Sequence, residues 1–207
     1  MLLRRELLTG LAAALVLPRL ARADIVCQPW GDGQEVCQAG LKFSPEMKTA
    51  EQECPYWCWA ACIESIFAID GFKVPQQEIV TRAYGQAVCA AADGPTIANA
   101  VSGSWRDGSG RSFASACEVV IDSQYGVWRD DAPLLAAREL EAGRPLILGA
   151  LGHAVLLTAM SFGRDAYGNT QIGELVIRDP WPSNPNRRTL SIQEVRQISF
   201  LATVSVS

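Results

Sequence analysis

The chain has 207 residues, 49% of them hydrophobic, with 18 basic and 22 acidic side chains and one histidine. That is enough apolar material for one buried core, and at this length one domain suffices. The acidic balance repels phosphate backbones, so a nucleic-acid partner is excluded as the natural expectation.

Residues 1–23, MLLRRELLTGLAAALVLPRLARA, carry Arg4 and Arg5, an apolar run from Leu7 to Leu17, and Ala21-Arg22-Ala23 before Asp24. This pattern predicts a cleavable secretory signal. The run is shorter than the roughly 20 residues a bilayer span needs, and Pro18 and Arg19 interrupt it. Arg4-Arg5 followed by Glu6-Leu7-Leu8 also resembles a bacterial twin-arginine export signal, although paired arginines occur in ordinary signals too. Four arginines and one glutamate leave with this segment, so the mature chain carries 14 basic and 21 acidic residues, a net charge of −7. A periplasmic or secreted protein is expected, with no membrane association after signal removal and a monomer by default.

All seven cysteines, at positions 27, 37, 54, 58, 62, 89 and 117, follow the signal, where an oxidising compartment favours disulfides. Cys27 and Cys37 flank the turn-rich PWGDGQEV and are expected to pair, closing an N-terminal extension over 24–50. An odd count leaves one thiol over, which in a secreted protein is either an intermolecular link or a reactive group.

Trp57 to Ile69 reads as an apolar helix, preceded by Pro55 and closed by Asp70-Gly71, which places Cys58 in its first turn. A second helix runs from Gln76 to Tyr84 behind Pro75 and ends at Gly85. The stretch 93–112, rich in Gly, Ser and Asp, is expected to loop over the surface. Another helix covers about 133–142. From Arg144 onwards PLILGAL, HAVLLTAMSF and QIGELVIRD read as antiparallel strands, followed by a short capped helix at Ser191–Gln197 and a last strand, FLATVSV. Helices first and strands second predict an α+β fold.

A cysteine nucleophile needs a base, a group that orients the base, and donors for the oxyanion. Of the cysteines in QECPYWCWAAC, Cys58 has the helix first turn that favours thiolate. Cys54 lies before the helix and Cys62 one turn deeper. Both are therefore given to bridges with later cysteines, with Cys89 and Cys117 available. His153 is the one imidazole, and a lone histidine is more often a satisfied structural residue. Its setting favours a functional role, because a simple hairpin pairs positions whose numbers sum to about 332 and so brings Asp179 beside His153. A carboxylate there would fix the tautomer and stabilise the imidazolium. A metal site is disfavoured, since C-x3-C-x3-C is not a usual zinc spacing and oxidation competes for the thiols.

These residues resemble the papain-like cysteine peptidases, in particular the bacterial branch of bacteriocin-leader-peptidase-like and plant-pathogen effector proteases. The matching positions are Gln52 six residues before Cys58, Cys58-Trp59-Ala60-Ala61 opening a helix, Gly152-His153-Ala154-Val155 opening a strand, and Ile177-Arg178-Asp179-Pro180-Trp181 ending the next. The likeness runs from about Gln52 to the final helix, giving a peptidase domain over 51–207. The Asp-Pro-Trp ending looks like the bacterial branch rather than papain itself, which uses Asn.

The resemblance implies a nucleophile helix packed against a C-terminal antiparallel sheet, a Cys58-His153-Asp179 triad, and an oxyanion site made by Gln52 and the backbone N–H of Cys58. It implies a protein or peptide substrate and no cofactor. Trp57, Trp59 and Trp181 are candidates to shield the catalytic hydrogen bonds, with Trp59 reading as core. The chain departs from several effector relatives in carrying six cysteines besides Cys58, which suggests a protease used outside the cytoplasm.

Three alternatives stay open at this level. The same thiol ester serves a deamidase, a transglutaminase-like enzyme or a cell-wall amidase. A catalytically silent, disulfide-stapled binding protein can keep such a fold. A thiol oxidoreductase is disfavoured because no C-x2-C pair is present.

Overall fold

The computed structural model describes residues 25–31, 33–41 and 49–207. The signal expected over 1–23 lies outside the described residues, as does 42–48 of the extension. In chain order the elements are β1 (Val26–Pro29), β2 (Glu35–Gly40), α1 (Cys58–Ile69), α2 (Gln76–Tyr84), α3 (Gly94–Val101), β3 (Gly103–Arg106), β4 (Ser112–Asp122), β5 (Val127–Trp128), α4 (Ala132–Glu141), β6 (Leu146–Ala150), β7 (His153–Arg164), β8 (Thr170–Arg178), β9 (Arg187–Thr189), α5 (Ile192–Arg196) and β10 (Ile198–Val206).

All the strands join one antiparallel sheet, whose main path runs β1-β2-β7-β6-β10-β4-β3, with β8 and β9 added on β7 and β5 on β4. The long β7 is its hub. Along one edge it pairs first with β6, from His153 to Leu157, and then with β2, from Ala159 to Arg164, while β8 runs along the other edge.

Both faces of the sheet centre are covered, which is why β6 and β7 read as unbroken apolar runs rather than alternating ones. Successive side chains still point to opposite faces. Ile147, Ala154, Leu156, Ala202 and Val204 pack under α1, α2 and α3, whereas Leu146, Leu148, Val155, Leu157 and Leu201 pack with α4. On the α1 face the Phe67 ring meets Trp105 and Phe113 edge-on at centroid distances of 5.1 and 5.0 Å, an arrangement aromatic quadrupoles favour.

The expected helices and late strands are present, but the order is not helices first and strands second. The sheet takes β1 and β2 from the extension and β3 and β4 from the middle of the chain. Cys27 and Cys37 face each other across the β1–β2 pair and are disulfide-bonded, and Cys37 is fully buried. The extension is thus one edge of the main sheet.

The stretch 93–112 is not a surface loop. It holds α3, whose Asp93 side chain accepts from the Thr96 N–H while Pro95 occupies the first turn, and then β3 and the turn into β4. The Asp-Gly-Pro-Thr cap was a legible start signal that the Gly and Ser content obscured.

Candidate active site

The segment before the nucleophile is held by buried polar side chains of α1 and α2. Ser65 Oγ accepts from Ala50 N at 2.9 Å, Gln76 Oε1 accepts from Glu53 N at 3.0 Å, and Gln76 Nε2 donates to Glu51 O at 2.8 Å. Every one of these ties satisfies a loop backbone group that the neighbouring elements would otherwise strand. Gln76 is 1% exposed and was not singled out from sequence, because a glutamine opening an amphipathic helix looks like any solvated one.

Helix α1 then begins at Cys58, with Trp57 as N-cap and no side-chain cap. The first-turn N–H groups have no intrahelical acceptor by helix geometry, so they point positive charge at whatever lies beside Cys58. Three ties fasten the 88–90 loop against this end: Trp57 Nε1 donates to Val88 O at 2.8 Å, Trp59 Nε1 to Ala90 O at 3.2 Å, and Cys54 is bridged to Cys89. Trp57 and Trp59 are therefore core residues that also clamp a wall of the site.

His153 opens β7 after a two-residue turn, because Ala150 pairs directly with His153 across Leu151-Gly152. Both turn residues have positive φ, 52° and 74°, the twist a tight hairpin needs. Glycine adopts it freely, but leucine does not, and Leu151 is also exposed. Leu151→Asn is expected to stabilise the fold by about 1 kcal/mol, since Asn tolerates this conformation. A melting curve unchanged or lowered by the substitution would contradict the strain assigned to Leu151.

Asp179 follows β8 directly, and its Oδ1 lies 2.8 Å from His153 Nε2. The hairpin register is offset by two from the simple expectation already at the turn, where Arg164 pairs with Thr170, and the irregularities at 157–159 and 160–162 shift it by one more only over Ala159 and Met160, so Leu157 pairs with Ile177. The Asp179 side chain spans the difference. With Nε2 committed to Asp179, Nδ1 is the nitrogen left for the Cys58 thiol, to which the imidazole is hydrogen-bonded. Ala154 N also donates to Cys58 Sγ, at 3.4 Å. Trp181 sets its ring edge-on to His153 at 6.3 Å.

The electrostatics distinguish the three free thiols. Burial pushes the Cys58 thiol up, but hydrogen bonds from His153 and Ala154 N and the His153 charge outweigh it and bring its pKa below the ordinary value. Cys62 is fully buried and held well above the ordinary value by that burial, then by the charges of Cys58 and Asp179. Burial and Glu118 push Cys117 up to about 11. Among the described free thiols Cys58 alone has its pKa lowered, the direction that favours the nucleophilic form. Burial alone would lower His153, yet the Asp179 and Cys58 hydrogen bonds and charges raise it to about 9. Burial would raise Asp179, but donors from His153, Trp181 N and Asn184 hold it well below the usual carboxylate range.

The other expected site residues are placed differently. Gln52 is buried, but its Nε2 donates to Cys54 O at 3.0 Å and Pro55 O at 2.9 Å, so both amide hydrogens serve its own loop, and its Oε1 has no partner among the described residues. Its backbone N–H meets Pro180 O at 2.9 Å and so ties the loop to the Asp179 segment. Cys54 and Cys89 are bridged, whereas Cys62 and Cys117, both given to bridges from sequence, are free. Cys62 lies in the core under α1, one turn below Cys58, where apolar packing leaves it a small hydrophobe.

A cavity of about 320 Å³ opens beside Cys58 and His153. Its walls are small, with Ala91, Ala92, Gly94, Gly149 and Ala150, and Asp122 lies in its lining. A Cβ on Gly94 would stand 1.9 Å from Asp122 Oδ2 and 2.9 Å from the Phe200 ring, so only glycine lets this wall close up. Sequence reading missed Asp122, which lies far from the motif positions along the chain, and Asn184 and Arg188, which follow Asp179 by five and nine residues but look like ordinary turn and surface residues.

No protein-family model matches the chain, and no curated protein matches it. Among solved structures it is similar to the peptidase domain of Streptococcus ComA, a bi-functional ABC transporter involved in quorum sensing, with TM-score 0.46 and 15% identity over 78% of this chain and 98% of that one. It is similar to a double glycine motif protease from an AMS/PCAT transporter, solved with its leader peptide, at TM-score 0.46 and 11% identity over 82% and 96% of the two chains. A third likeness is UfSP from C. elegans, at TM-score 0.45 and 13% identity, covering 95% of this chain and 36% of that one.

Proposed function

We propose that the chain is an exported cysteine endopeptidase of papain-like design. The observation that carries this reading is the chain of contacts from the Cys58 thiol through the His153 imidazole to Asp179 Oδ1, with the last at 2.8 Å and Cys58 the one described thiol of lowered pKa. The Cys27–Cys37 and Cys54–Cys89 bridges suit an oxidising compartment. Among the described residues no helix is long and apolar enough to cross a membrane.

In the proposed reaction the Cys58 thiolate attacks a peptide carbonyl carbon, and the carbonyl oxygen gathers charge at the N-terminus of α1. The backbone N–H of Cys58 receives that oxyanion. Gln52 joins it by exchanging one of its two carbonyl acceptors for the oxyanion. His153, protonated in the resting pair, gives its proton to the leaving amine, and the bond to nitrogen breaks to leave a thiol ester on Cys58. Water then adds to that ester with His153 as base, the carbon–sulfur bond breaks to release the acid, and the thiolate and protonated His153 of the resting pair are restored. Asp179 holds the ring in the tautomer this requires.

The test is mass spectrometry of an unfolded protein treated with the mature enzyme. New peptide termini are the expected result. Intact chains carrying acids in place of side-chain amides, or cross-linked chains, would show instead that the same thiol ester is formed on a side chain, as in a deamidase or transglutaminase-like enzyme.

A further inference from the structure

Asp179 is 1% exposed and receives donors on both oxygens. His153 Nε2 at 2.8 Å and Trp181 N at 3.0 Å meet Oδ1, while Asn184 Nδ2 at 2.9 Å and Arg188 Nε at 2.9 Å meet Oδ2. The far side of the Arg188 guanidinium is also occupied. Its Nη1 and Nη2 donate to Glu194 at 3.1 and 2.7 Å, a forked pairing of fixed geometry. Glu194 is in turn held by Ser191 N at 2.7 Å and Ser191 Oγ at 2.8 Å, the capping box that starts α5. Groups of alternating sign thus run from the imidazole through the Asp179 carboxylate and the Arg188 guanidinium to a second carboxylate.

We propose that Arg188, held by Glu194, is a positioning residue for His153, keeping Asp179 Oδ1 turned to the ring and offsetting part of the carboxylate charge that the imidazole feels. The inference rests on the endopeptidase reading and adds to it two residues from β9 and α5. The charged and titratable groups around His153 are Cys58 and Cys62 from α1, Asp179 after β8, Arg188 from β9 and Glu194 from α5, with Asp122 across the cavity. Arg188 is the cation that faces the carboxylate, so its removal and its strengthening must act on His153 with opposite signs.

That opposition separates a charge role from a merely structural one. Removing the Arg188 charge leaves His153 facing an uncompensated carboxylate, which favours the imidazolium and raises its pKa. Removing the Glu194 charge leaves Arg188 uncompensated, which disfavours the imidazolium and lowers it. Loosening of the fold, by contrast, moves both variants the same way, toward the ordinary value of 6.5.

The chain has one histidine, so an NMR titration of the imidazole C–H signals in the untagged mature protein reads His153 without assignment. The wild type is expected to titrate near 9. Arg188→Met is expected to titrate higher and Glu194→Gln lower, each by roughly half a unit to one unit, with Arg188→Lys close to the wild type. Shifts of the same sign, or none, would overturn the inference while leaving the endopeptidase reading in place. If Arg188→Met does not fold, Arg188→Gln takes its place: a raised titration supports the role, and a lowered or unchanged one overturns it. A wild-type His153 that titrates near 6.5 would instead remove the thiol–imidazole pair itself, and with it both readings.

Discussion

Replacing Cys58 by alanine is expected to abolish peptide hydrolysis, by at least about 10⁴-fold, while the protein keeps its fold. The thiol is half-buried, and its removal leaves the Ala154 N–H without the acceptor it has at 3.4 Å, a weak contact. The chemistry depends on Sγ, whereas little of the packing does. The same variant should lower the His153 titration, because the Cys58 hydrogen bond and charge help to raise it to about 9. His153→Ala is expected to remove activity equally, since the base and the acid of the reaction are one ring. Circular dichroism and a melting curve alongside the activity assay separate lost chemistry from lost structure. Full activity in either variant would end the mechanism.

Asp179→Ala has the second-largest expected effect, and it acts on two properties together. Activity should fall by about 10²–10⁴-fold because the imidazole loses its orienting partner. Stability should fall by about 2–4 kcal/mol, because the substitution empties a fully buried site on which His153, Trp181 N, Asn184 and Arg188 all converge.

The pH dependence of stability has a definite sign for each member of the pair. The Asp179 pKa is depressed on folding, so its contribution is present above its ordinary 3.8 and is lost as pH falls through the lower folded value. The His153 pKa is raised, so its contribution is complete below 6.5 and is lost as pH rises through about 9. Asp179→Asn should therefore flatten the acid side of the stability profile and reduce the alkaline loss as well. A stability profile of Asp179→Asn that matches the wild type from pH 3 to about 9 would contradict the coupling drawn between the two groups.

The parts of the site that sequence made legible are those set by local chemistry. Cys58 was readable because Pro55 and the apolar spacing after Trp57 fix where α1 starts, and the observed helix begins at that residue. His153 and Asp179 were placed side by side by strand ends and a hairpin, even though the turn offsets the register by two positions and the bulges add a third over Ala159 and Met160. What stayed hidden depends on contacts between distant segments. Nothing local tells Arg188 from Arg187, yet β9 turns one toward Asp179. Gln76 looks like a surface residue until the 49–53 loop lies across it. The cysteines show the same division. Cys27 and Cys37 flank a turn and pair across it, while the fate of Cys62 and Cys117 is decided by where α1 and β4 sit in the core.

The most direct test of the central claim is the rate at which iodoacetamide modifies each free thiol of the oxidised mature protein near neutral pH, read by peptide mapping without reduction. Cys58 is expected to take up a single adduct far faster than Cys62, which is buried, or Cys117, whose pKa is pushed up to about 11, and hydrolysis should disappear in step with that adduct. A Cys58 found in a disulfide, or one modified no faster than Cys117, would contradict it.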